Sequence, residues 1–142
     1  EEKLNPWMQP IYDNIDFLFG HTGAKGRRGA GKGCQELMNQ GLLQIEPLTY
    51  IRGRSIPQQY LIVDESQNLT PHEIKTIVTR AGDNTKIVLT GDSFQIDNPY
   101  VDSANNGLVY LVEKFKEESI SAHITLTKGE RSKLSELASN LL

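Results

Sequence analysis

An α/β fold with a mostly parallel sheet is what this sequence predicts, and three observations predict it. Two short apolar runs, Tyr60–Asp64 and Lys86–Thr90, both end in polar clusters. Each is followed by a stretch whose apolar residues recur at helical spacing. From Leu42 onward, short strand candidates alternate with helical patterns, the order produced when helices carry the chain between parallel strands.

In chain order, Pro6 sits at an expected first helical turn, and Trp7, Ile11, Ile15, Leu18 and Phe19 fall on one helical face up to Gly20. Residues 21–33, HTGAKGRRGAGKG, are rich in glycine and basic side chains without apolar periodicity, so they read as a surface loop. A short helix, Gln35–Gln40, is expected to stop at Gly41. The expected strands are Leu42–Glu46, Tyr60–Asp64, Lys86–Thr90 and His123–Thr127. Within Ser66–Ala81 a helix is expected, with Thr70 as cap, Pro71 at the first helical position, and Ile74, Ile77 and Val78 at helical spacing after it. Another runs over Asn106–Lys116, burying Leu108, Leu111, Val112 and Phe115, and a last one runs from Arg131 to the end.

Composition narrows the function classes. The 142 residues suit one compact domain, and 37% apolar with 23% charged residues is a globular balance. No apolar run approaches the ~20 residues that a membrane helix needs, so no membrane partner is expected. A lone Cys34 cannot form an internal disulfide, and no leader pattern opens the chain, so a cytoplasmic location is expected. A net charge of -3 gives no global pull toward nucleic acid, and any basic patch must be local. His21, His72, His123 and Cys34 share no zinc-ligand spacing.

The chemistry gathers at two strand ends. Tyr60-Leu-Ile-Val-Asp64-Glu65 has the pattern of a buried parallel strand delivering carboxylates to its C-terminal edge, where open α/β sheets bind ligands. Phosphoryl transfer from a nucleotide needs one carboxylate for hydrated Mg²⁺ and a second group for the attacking water. Asp64 suits the first role and Glu65 the second. The bland alternative is a pair of acids ending a strand in solvent. Lys86–Thr90 then leads into Gly91-Asp92-Ser93-Phe94-Gln95-Ile96-Asp97, where Asp92 and Gln95 can reach a γ-phosphate or its water and Gly91 permits a tight turn. Here the alternative is Asp92 capping its own backbone.

Gly26-Arg-Arg-Gly-Ala-Gly31-Lys32-Gly33 imitates a phosphate-gripping Walker A loop but fails its context. Gly33 stands where Ser or Thr must bind Mg²⁺, and no apolar strand feeds the loop. Arg27 and Arg28, with Lys25 and Lys32, are candidates for RNA phosphate contact. Arg52 and Arg54, flanking Gly53, are candidates for nucleic acid or a neighbouring subunit, with a solvated turn as the alternative.

Together these residues resemble the PhoH family of ATPases, themselves similar to the RecA-like cores of superfamily-1 helicases. Leu61-Ile-Val-Asp-Glu65-Ser-Gln-Asn68 resembles the family's Walker B stretch, and Thr90-Gly-Asp-Ser-Phe-Gln-Ile-Asp97 its motif III. Pro47–Arg54 resembles the segment before Walker B, and Lys128-Gly-Glu-Arg-Ser132 the C-terminal arginine motif. The resemblance implies a three-layer RecA-like P-loop NTPase sheet, mostly parallel, lacking its Walker A half. Residues 1–41 then form a helical and basic-loop region, and residues 42–142 the Walker B to arginine-motif core.

It further implies ATP and Mg²⁺ as cofactors, helicase-like work on RNA as partner, and a homo-oligomeric ring in the full-length protein, with an N-terminal PIN-type ribonuclease domain in the most similar subtype. Glu65, Gln95 and Arg131 would be catalytic, Arg131 as an arginine finger, while Asp64, Asp92 and Gly91 would bind the nucleotide and its metal. The sequence departs from the family in holding no G-x-x-x-x-G-K-[ST], so it is expected to be a piece of a longer protein and inactive alone. A receiver-like phosphoacceptor domain fails for want of the later Asp, Ser or Thr, and Lys in order. A non-catalytic nucleic-acid-binding or oligomerisation module is the remaining alternative.

Overall fold

The structure, a computed structural model, describes residues 5–22, 32–51, 53–127, 132–134, 137 and 141. Two compact units divide the chain, Glu1–Tyr50 and Ile51–Leu142. Among the described residues no helix is long and apolar enough to cross a membrane.

In the first unit, α1 (Asn5–Thr22) packs on α2 (Lys32–Asn39). Gly20 does not end α1, which continues to Thr22, because a glycine weakens a helix without by itself breaking its hydrogen bonds. Ile11 and Ile15 are half-buried as the periodicity requires, but Leu18 is exposed. The first turn of α2 leaves backbone N–H groups without helical partners, and the Asp16 carboxylate accepts one of them, from Cys34, at 3.1 Å. Gly41 ends the next turn as expected. Its φ of +70° lets the Leu42 N–H reach back to the Leu37 carbonyl at 2.9 Å and its own N–H reach Met38 at 3.0 Å.

That helix end decides the fate of the first expected strand. Leu42–Glu46 forms none, because the N–H groups of Leu42 and Leu43 both bond to Leu37 and are spent before a ladder could use them.

The second unit is built on one parallel pair, β1 (Tyr60–Val63) and β2 (Lys86–Leu89), in register Tyr60↔Lys86 to Val63↔Leu89. An isolated parallel bridge between Ile56 and Ala81 precedes it. Within Ser66–Ala81 the helix begins at Pro71 behind its Thr70 cap, as expected. Pro71 forces Thr70 into extended backbone, so a 3-10 turn, Ser66–Asn68, is cut off from α3 (Pro71–Val78). Thr70 caps α3 through its side chain, and the Glu73 carboxylate reaches back to the Thr70 N–H at 2.8 Å, closing a capping box. Ile74 and Ile77 are buried and Val78 half-buried, as their spacing requires.

The helix α4 (Gly107–Phe115) packs against α3 and against the Ser66–Asn68 turn, with Leu108, Leu111, Val112 and Phe115 half-buried. Its cap, Asn106, is fully buried and works in both directions. Its Oδ1 accepts from Val109 N–H at 3.0 Å, and its Nδ2 donates to the Asp102 carbonyl at 2.9 Å.

Two expectations of a fully formed sheet fail here. Tyr60 and Ile62 are exposed, so β1 is buried on one face only, and His123–Thr127 is exposed irregular chain rather than strand. Strand structure requires a partner to complete the backbone hydrogen bonds, and among the described residues no segment pairs with 123–127. The helix expected from Arg131 begins outside the described residues, and Lys133, Leu134, Leu137 and Leu141 are helical.

Two measurements check these assignments. Asn106→Ala removes the α4 cap and strands its partners, and is expected to cost about 1–2 kcal/mol in urea unfolding. Burial, with Asp16 beside it, pushes the Cys34 thiol above its ordinary pKa. Iodoacetamide should therefore modify Cys34 at least about tenfold more slowly than an exposed thiol. The stability linked to this thiol is complete below the unfolded thiol's pKa and is lost as pH rises through the folded one. A native labelling rate equal to that in denaturant contradicts the burial.

Candidate functional site

The parallel register carries the C-terminal ends of β1 and β2 to the same edge. Thr90 N–H donates to the Val63 carbonyl and Ser66 N–H to the Thr90 carbonyl, each at 2.9 Å, so the two exits remain side by side past the strands. Asp64 and Glu65 leave one strand there, and Gly91 and Asp92 leave the other.

Asp64 is exposed, and its Oδ1 accepts from the Thr90 hydroxyl at 2.6 Å and from Glu65 N–H at 3.0 Å. Glu65 itself sits in the left-handed region, φ 52° and ψ 37°. For a residue with a Cβ this backbone is uncommon and costs on the order of 1 kcal/mol, and such strain clusters at functional sites. The Asp64 carboxylate offsets part of it by holding the Glu65 N–H.

Beyond Asp92 the chain folds back in a tight loop. Asp92 Oδ1 accepts from Phe94 N–H and its Oδ2 from the Gln95 side-chain amide, both at 2.9 Å. Both carboxylate oxygens of Asp92 thus organise their own loop, which is the local capping role held open from the sequence, and Gln95 is held in the same cluster. Asn68 secures the far end, its Oδ1 accepting from Asp97 N–H at 2.7 Å and Asn98 N–H at 3.1 Å.

The two clusters are joined by Gln67, which is completely buried. Its Nε2 donates to Glu65 Oε2 at 2.6 Å and to the Gln95 carbonyl at 2.8 Å, while its Oε1 accepts from Asp92 N–H at 3.2 Å. The opposite amide orientation would set an oxygen against two oxygens, so the hydrogen-bond pattern fixes which way the amide points.

Gly91 is explained by this amide rather than by a turn. Its φ lies outside the left-handed region, and a Cβ there would come within 2.4 Å of Gln67 Oε1 and 3.1 Å of Leu108 Cδ2. The glycine makes room for the bridge.

Of the residues singled out from the sequence, Asp64, Glu65, Gly91, Asp92 and Gln95 therefore come together at one edge. Arg54 lies on an exposed turn of the same unit. Arg27, Arg28, Arg52 and Arg131 lie outside the described residues. Gln67, Asn68 and Thr90 were not marked as site residues. Hydrophobic patterning sends a glutamine to the surface, and the signal for Gln67 is its place two residues after the acid pair, within the Leu61–Asn68 stretch.

Among the described residues no group of three or more His, Cys, Asp or Glu is placed to hold a metal ion. One exposed carboxylate beside a hydroxyl fits a hard ion that keeps most of its water and shares its remaining positions with phosphate oxygens, the habit of Mg²⁺.

The chain is similar to known proteins along its whole length. The family model described as PhoH-like protein matches residues 1–141. Protein PhoH2 of Bacillus subtilis (strain 168) is 56% identical over 142 residues, covering 100% of this chain and 31% of that protein. Protein PhoH2 of Thermobispora bispora is 38% identical over 141 residues, 99% of this chain and 30% of the relative. A PhoH-like protein of Bacillus subtilis (strain 168) is 36% identical over 118 residues, 82% of this chain and 33% of its own length. The chain thus spans about a third of the curated relatives it matches.

Gly91→Ala is expected to displace the Gln67 amide and cost about 1–3 kcal/mol, the usual range for overpacking a close contact. A thermal midpoint equal to the parent's would show that the space is not needed.

Proposed function

The chain belongs to the PhoH-like family, a family expected to bind nucleotide, and we propose that it supplies the metal-holding and water-orienting half of an ATPase site in a longer protein. One observation carries the proposal. Two polar clusters, Asp64/Glu65 and Asp92/Gln95, stand at the C-terminal ends of adjacent parallel strands and are joined through a buried amide. Solvated acids that merely end strands need no such bridge.

In this reading Asp64 would hold Mg²⁺ through its water shell, and the ion, when bound, would neutralise charge on the β- and γ-phosphate oxygens. Glu65 orients the attacking water and takes its proton. Asp92 and Gln95 face the γ-phosphate, and their loop responds to its presence. Arg131, in Lys128-Gly-Glu-Arg-Ser132, is assigned to the developing transition-state charge. No G-x-x-x-x-G-K-[ST] occurs in these 142 residues, so we assign the phosphate-gripping loop to the rest of the protein.

The same reading completes the architecture. Further strands would extend the β1–β2 pair into a three-layer RecA-like sheet and give His123–Thr127 a neighbour, and helices packed on its open face would cover the exposed Tyr60 and Ile62. RNA as the substrate, with the Arg27, Arg28, Arg52 and Arg54 side chains as contacts, ring assembly and a cytoplasmic location belong to the proposal for the whole protein.

The test is turnover. The protein extended to the length of its relatives should hydrolyse ATP with Mg²⁺, and Glu65→Gln should lower kcat about 10²–10⁴-fold while ATP binding persists. The 142-residue chain alone should show no turnover. Glu65→Gln retaining most of the parent's kcat would remove Glu65 from the chemistry.

A further inference from the structure

A fully buried glutamine beside a strained glutamate stands at this edge with no task in the proposed chemistry. Burying an amide is costly unless its hydrogen bonds are made, and leaving one of its partners unpaired costs about 1–3 kcal/mol. A packed apolar side chain of the same length would avoid that requirement. Gln67 instead divides its bonds across two segments: one Nε2 proton goes to Glu65, while the other proton and the carbonyl oxygen go to the loop after β2, at the Gln95 carbonyl and Asp92 N–H.

The division has a mechanical consequence. A planar amide cannot turn toward one partner without turning away from the others, because its two donors and its acceptor are fixed in one plane. Gly91 leaves the amide no slack, since even a methyl group there would meet Oε1. Glu65 is also restrained from its own backbone, through the left-handed φ and the Asp64 carboxylate on its N–H. Orientation of its carboxylate therefore falls to the Gln67 donor at 2.6 Å.

We propose that Gln67 is a positioning residue that ties the carboxylate of Glu65 to the loop Gly91–Asp97, so that the state of the loop sets the aim of the water-orienting group. The inference rests on the ATPase reading above. Loop closure on an intact γ-phosphate brings Glu65 to its working orientation, and loop release after phosphate loss lets it go. Gln67 touches neither nucleotide nor water and acts only through Glu65.

The experiment uses the protein extended to its relatives' length, with Mg-ATP. Gln67→Leu should lower kcat about tenfold to a hundredfold, as expected for a misaimed catalytic group, with KM for ATP within about twofold. The same variant should speed hydrogen exchange at the Asp92 amide about tenfold, because the Gln67 acceptor has been removed. Gln67→Glu separates coupling from mere support. Buried against the Glu65 carboxylate it takes up one proton, so it keeps an acceptor for Asp92 N–H but has one donor in place of two; exchange should return toward the parent's rate while kcat, with Glu65 held to a shared proton, stays low. Gln67→Met repeats the measurements if Gln67→Leu melts below the assay temperature.

A parent-like kcat in Gln67→Leu or in Gln67→Glu overturns the proposal, and so does unchanged Asp92 exchange in Gln67→Leu. Absence of ATP turnover in the unmutated extended protein is a different failure and refutes the ATPase reading itself, while full turnover in its Glu65→Gln variant removes Glu65 from the chemistry.

Discussion

One side-chain amide, buried where two strand exits meet, sets the terms for everything around it. Gln67 needs three partners in fixed directions, and the second unit supplies them from Glu65, Asp92 and Gln95. The parallel register of β1 and β2 makes this possible by bringing both exits to the same level. The missing side chain at Gly91 makes room, and α4, through Leu108, closes the far side. A buried polar group that is fully satisfied specifies one arrangement, since every alternative leaves a donor or acceptor unmet.

The strain at Glu65 belongs to the same arrangement. A left-handed backbone survives only where surrounding bonds overdetermine it, and here Asp64 holds the Glu65 N–H while Gln67 holds its carboxylate. The Asn68 side chain pins Asp97 and Asn98 in turn, so the loop after β2 is anchored at both ends by the turn after β1. The two loops behave as a single polar layer laid over the strand ends. Beneath it, the core is small: Val63, Ile74 and Ile77, with Ile51 and Ile56, are its buried apolar members.

Exposure of Tyr60 and Ile62 and the irregular backbone of His123–Thr127 share one cause. A strand in the middle of a parallel sheet is apolar on both faces because helices cover both, and it is a strand because neighbouring strands complete its ladder. Tyr60-Leu-Ile-Val63 carries the composition of such a strand but has β2 as its sole partner among the described residues. That mismatch between composition and surroundings fits a chain spanning about a third of its relatives.

Residue order alone determined the local elements and which polar residues stand at their ends. Helical spacing located α3 and α4, Thr70-Pro71 and Asn106 marked where they start, and the apolar runs before Asp64-Glu65 and Thr90-Gly91 located both strands. These are short-range effects, carried by neighbours within a turn or two. Tertiary structure decided the rest. It denied a strand to Leu42–Glu46, whose first N–H groups bond back to Leu37, and to His123–Thr127, because pairing needs a second segment, and it buried Gln67, which local polarity alone would place in water. It also gave Gly91 its reason, since the space a Cβ would fill is occupied by an amide from 24 residues earlier in the chain. Contacts of that separation leave no periodic trace in a sequence, and only the folded chain brings their members within reach.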